Sequence, residues 1–142
     1  MKNDSPLTSA ALRHLRLLLR AIAPLGARLD RQFRALLREH PHEPALVRAL
    51  LAITPAAASR LRTVGAFVEQ VEYHGRRIAK MNLPPCEAVE IIGEFDRLLD
   101  GALEGRFAPA REQLQLVTRL ALNRAYYQVR EAESQVFFGL YH

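Results

Sequence analysis

Residues 61–85 read LRTVGAFVEQVEYHGRRIAKMNLPP, and this stretch decides the fold. Leu61, Val64, Phe67, Val68 and Val71 recur at helical spacing, and the pattern runs on through Ile78 and Met81. One face of an α-helix is spaced that way, whereas a half-buried strand would alternate at every second residue. Leu83-Pro84-Pro85 must end the helix, because proline lacks the backbone donor and restricts the residue ahead of it. Upstream, Thr54-Pro55 offers a capping hydroxyl followed by proline at the first helical position. The spacing therefore predicts one helix from Pro55 to the Leu83-Pro84 turn.

The same signals repeat on both sides. Ser5-Pro6 reads as a helix start, and Leu12, Leu15, Leu18, Leu19 and Ile22 form the stripe behind it. Pro24 and Gly26 punctuate. A second helix follows with Leu29, Phe33, Leu36 and Leu37, ending near His40-Pro41. Pro44 opens a short helix through Leu46, Val47, Leu50 and Leu51. After the double proline, Ala88, Ile91, Ile92, Phe95, Leu98 and Leu99 mark a buried side, and Gly101, Gly105 and Pro109 a loop. The last helix runs from about Pro109 to the end of the chain. Leu114, Val117, Ala121, Val129, Ala132, Val136 and Leu140 give it one apolar stripe; Leu116, Leu120 and Tyr127 give a neighbouring one. A helix that apolar needs cover on two sides. Its own domain is one, and a second copy of itself is the other. The final residues, Gln135 to His142, are rich in large apolar side chains and carry no cap, so the chain is expected to stop inside this helix rather than at its end.

With 142 residues, 49% of them hydrophobic, and no Gly- or Ser-rich linker, the chain suits a single domain, residues 1–142, of about six helices around one core. The net charge of +5 comes mostly from arginines spread along every helix beside Glu and Asp. That pattern fits a solvated surface better than a nucleic-acid footprint, and no DNA-reading motif occurs. No apolar run is long enough to span a bilayer, and Leu17–Leu25, broken by Arg20 and Pro24, is an amphipathic helix rather than a signal peptide. The single cysteine, Cys86, excludes an internal disulfide, which makes a reducing, cytoplasmic setting the expectation.

Three segments carry a resemblance: Gln32-Phe33-Arg34-Ala35-Leu36-Leu37-Arg38-Glu39-His40-Pro41, Thr54-Pro55, and Arg77-Ile78-Ala79-Lys80-Met81-Asn82-Leu83-Pro84-Pro85, followed by the long closing run Leu120–Glu133. In this order they resemble the N-terminal sensor domain of globin-coupled sensors and their non-haem relatives in bacterial signalling. The resemblance implies an all-α, globin-like fold whose last helix dimerises and leads to an output module such as a histidine kinase or a cyclase. It also implies a haem, held by one histidine on the helix before the Leu-Pro turn. Counted back from Leu83-Pro84, the usual place of that histidine holds Ile78, and His74 stands one turn earlier. His74 is then the metal ligand, Phe33 matches the distal aromatic, and a gaseous or apolar small molecule is the ligand sensed. At helical spacing Phe67, Val71, Ile78 and Met81 share the His74 side and could line a porphyrin. Arg77, with Arg76 and Lys80, could pair with the propionates.

Other candidates are weaker. His74 could equally be a partly buried histidine bonded to a neighbouring helix, and an axial role for Tyr73 is uncommon. His40-Pro41-His42-Glu43 cannot place both rings on one helical face and reads as a loop. Cys86 at a helix start could have a lowered thiol pKa, but a plain small residue is the simpler reading. Glu87, Glu90, Glu94, Asp96 and Asp100 share one helix and read as a solvated acidic face, since no Glu-x-x-His pair accompanies them. No nucleophile-base constellation, phosphate loop or zinc pair is present, so no enzyme is expected. Three readings follow: a haem-binding globin-like sensor, a non-haem sensor or interaction module with the same fold and dimer, and a helical adaptor without ligand.

Overall fold

The computed structural model describes residues 8–39 and 42–141, and all regular structure among them is helical. The elements are α1 (Ser9–Ile22), a 3₁₀ turn (Ala23–Leu25), α2 (Gly26–Leu37), α3 (Pro44–Leu51), α4 (Pro55–Ala58), α5 (Val64–Lys80), α6 (Pro85–Leu103) and α7 (Ala108–Tyr141). Ser5-Pro6 and His40-Pro41, read from sequence as a helix start and a helix end, lie outside the described residues. Within them, α1 is capped by Thr8, whose hydroxyl accepts from the Ala11 amide at 3.1 Å. No helix of the described residues is long and apolar enough to cross a membrane.

The helix expected to run unbroken from Pro55 is two. Thr54 caps the single turn of α4, accepting from the Ala57 amide at 3.2 Å, and Ser59 closes it by donating to the Ala56 carbonyl at 2.6 Å. Thr63 then caps a new start by accepting from the Ala66 amide at 3.0 Å. Apolar spacing continues across the break, so periodicity alone conceals it, while hydroxyls that bond the local backbone compete with the helical ladder and mark it.

The core is one cluster. It takes Leu15, Leu18 and Ile22 from α1, Leu29 and Phe33 from α2, Phe67, Val71 and Ile78 from α5, Phe95 and Leu99 from α6, and the inner stripe of α7. The most extensive pairing is α5 along α7. Gly75 permits it: a Cβ there would stand 2.9 Å from the Ala125 Cβ and 3.1 Å from Leu122 Cδ1. Across the same seam Arg76 Nη1 donates to Gln128 Oε1 at 3.1 Å, and Arg124 faces Glu72 at 3.7 Å. The Leu83-Pro84 turn between α5 and α6, with Asn82 in the left-handed region at φ 65°, is tied to α7 by the Tyr126 hydroxyl, which donates to the Leu83 carbonyl at 2.6 Å.

Helix α7 has 34 residues, about 51 Å at the helical rise. Leu114, Val117, Ala121, Leu122, Ala125, Tyr126 and Val129 are buried against the body. From Arg130 to Val136 every side chain is exposed, so the inner stripe loses its cover at Val129, and Ala132 and Val136 belong to it in spacing only.

Candidate functional site

Phe67, Val71 and Ile78 share one face of α5 and are buried in the core, and His74 joins them at the same spacing but is half-buried. Met81 is half-buried at the C-cap of α5, and Arg77 is exposed. Phe33 is fully buried on α2, where its ring meets Phe95 of α6 edge to face with centroids 5.3 Å apart. The Tyr73 and His74 rings are also edge to face, at 4.9 Å, with Tyr73 half-exposed. Of the basic group expected at propionates, Arg76 is committed to Gln128 of α7.

As arranged, these residues do not fit a haem. A porphyrin needs a flat apolar slot beside its axial imidazole, yet Phe33, Phe67, Val71 and Ile78 are all buried members of the one core cluster. An imidazole that binds a metal normally donates its second ring nitrogen to a carbonyl or carboxylate. The buried Nδ1 of His74 meets no hydrogen-bond partner. Burial, reinforced by the Arg77 charge, lowers the His74 pKa, so the ring is neutral at neutral pH. Among the described residues no group of three or more His, Cys, Asp or Glu side chains could hold a metal ion. Cys86 is exposed at the start of α6.

Two clefts lie elsewhere, and neither includes any of the residues proposed for haem. The larger, about 750 Å³, runs between α1, α5 and α7. Leu12, Leu19, Val64, Val68, Val117 and Ala121 form its apolar lining, and Arg16, Arg62, Glu69, Glu72 and Arg124 give it charges of both signs. Leu120 lines this groove and also belongs to the outer stripe of α7, where Leu116 (47% exposed), Leu120 (51%) and Tyr127 (63%) stand open. Spacing located that stripe; the groove beside it is built by three helices distant in sequence and has no signature in any one of them.

The smaller cleft, about 120 Å³, lies between α6 and α7 near Pro55. Here the structure corrects the reading of the α6 carboxylates as one solvated face. Glu87, Glu90 and Asp100 are exposed, but Asp96 is largely covered and lines the cleft. Burial pushes its carboxyl up to about 6, against the opposing pull of Arg119, Arg111 and Arg97. The signal was present: Asp96 follows Ile92 by four residues and precedes Leu99 by three, which puts it on the buried side of α6. The chain matches no protein-family model, no curated protein and no solved structure.

Proposed function

We propose that this chain is a globin-like sensory and relay module, working without haem, that pairs with a second copy of itself through the outer stripe of α7 and so controls an output module. One observation carries the reading. The inner stripe of α7 is already covered by its own domain, and Leu116, Leu120 and Tyr127 stand half-exposed or more on a neighbouring stripe. Leu116 and Leu120 are neighbours one turn apart, and exposed apolar side chains grouped on one helix face mark interaction sites. The groove beside it carries arginines and carboxylates together, which suits a patch meeting its own copy across a two-fold axis. The helix order and the Leu-Pro turn pinned to α7 by Tyr126 support the sensory half of the reading, since movement of α5 or α6 at that turn would reach α7 directly.

Light scattering at tens of micromolar, the range in which weak dimers persist, tests the pairing. The wild type is expected at twice the monomer mass, and the double variant Leu116→Glu, Leu120→Glu as a monomer of unchanged helicity. A monomeric wild type would overturn the reading. The haem question is separate: the purified protein, reconstituted with haemin, is expected to show no Soret band above that of free haemin. A Soret band that disappears in His74→Ala would restore His74 as an axial ligand.

A further inference from the structure

The cleft between α6 and α7 holds two opposite charges that do not neutralise each other. Asp96 lines it from α6 and Arg119 from α7, yet neither belongs to an ion pair among the described residues. The second arginine of the cleft, Arg111, is already taken by Asp100 at 2.7 Å. The Thr118 hydroxyl is taken by the Leu114 carbonyl at 2.8 Å. Gln115 is the other polar side chain of the wall, and Ile92, Leu99 and Leu122 are among its apolar residues. A covered carboxylate without a counter-ion is a costly arrangement for a fold to keep, and a cation delivered to it would be held by a charge-assisted hydrogen bond.

We propose that this cleft binds a small zwitterion of the α-amino acid class, its ammonium on the Asp96 carboxylate and its carboxylate on the Arg119 guanidinium. Size agrees with that class. An apolar cavity of about 150 Å³ takes benzene, a molecule of six non-hydrogen atoms. The 120 Å³ here suits glycine, alanine or serine and is too small for an aromatic amino acid. The short side chain would lie on Ile92 and Leu122. The upward pull of burial on the Asp96 carboxyl shows that the arginines compensate its charge only in part, which leaves it free to gain from a cationic ligand. The site stands on α6 and α7 of one chain and does not depend on whether α7 pairs with a second copy.

The test is an amide-resolved NMR titration of the full chain with L-alanine, with propionate and ethylamine as single-charge controls. L-alanine is expected to give saturable shifts centred on Asp96, Gln115 and Arg119. Asp96→Asn and Arg119→Gln are each expected to weaken binding about tenfold or more, the effect of one lost charge-assisted bond. Both variants should keep the fold, because Asp96→Asn removes a desolvated charge and Arg119 is exposed. The two controls are expected to bind at least about tenfold more weakly than L-alanine. No saturable shift with L-alanine, unchanged binding in either variant, or equal binding of propionate or ethylamine would each overturn the proposal. Light scattering on the same samples reports pairing independently, so failure of one reading is distinguishable from failure of the other.

Discussion

Two side chains give the protein opposite responses to acid. The Asp96 carboxyl is raised from 3.8 to about 6 by burial, with Arg119 and Arg111 on α7 and Arg97 on α6 pulling the other way. Between those values the folded chain holds a proton that the unfolded chain has released, so this group favours folding below pH 4 and loses that effect as pH rises through 6. Asp96→Asn should therefore be more stable than wild type at pH 7.5, by about 1–2 kcal/mol once partial solvent access is allowed for, with the difference shrinking towards pH 4. Urea melts across that range check it. His74 acts in the other direction. Its lowered pKa means that the unfolded chain protonates first, so its contribution is present above pH 6.5 and is lost as pH falls below that value. His74→Gln should flatten the acid limb of the stability curve, whereas Asp96→Asn should steepen it. At the same scale, the buried Tyr126 phenol is pushed up to about 12 and stays a donor to the Leu83 carbonyl at any ordinary pH. Tyr126→Phe keeps the ring and leaves that carbonyl unmet, a loss of about 1–2 kcal/mol by denaturant titration.

Between elements, the α5–α7 seam is set by one missing side chain. Alanine is the better helix former by up to about 1 kcal/mol, yet at residue 75 its Cβ would press on Ala125 at 2.9 Å. Gly75→Ala should accordingly destabilise by about 1–3 kcal/mol, since an over-packed helix pair must part. A thermal melt that rises instead would show that the seam has room. The seam also shows what sequence could and could not tell. The apolar faces of α1, α2, α5, α6 and α7 were legible because one buried side imposes its period on the residues. The break between α4 and α5 was not, because Leu61 and Val64 keep that period while Ser59 and Thr63 redirect the backbone. Asp96 was legible in principle from Ile92 and Leu99 and was obscured by the other carboxylates of its helix. The edge-to-face contact of Phe33 with Phe95 was not legible at all: the two residues are 62 positions apart, and only the fold brings them together.

At the scale of the whole molecule, the same helix that closes the core offers a second apolar row to the outside. The inner row from Leu114 to Val129 is buried within the chain, whereas Leu116, Leu120 and Tyr127 stand exposed, and the proposed pairing would cover them. Asn123 is exposed and lies on that outer row, within one turn of Leu120 and of Tyr127. The proposed pairing through the row would bring Asn123 close to its counterpart in the second copy. The direct measurement is oxidative cross-linking of Asn123→Cys in a Cys86→Ser background, with Arg97→Cys on the exposed side of α6 as the control position. The account predicts that Asn123→Cys forms a covalent dimer readily and Arg97→Cys does not. An Asn123→Cys protein that stays monomeric, or cross-links no faster than the control, would contradict it.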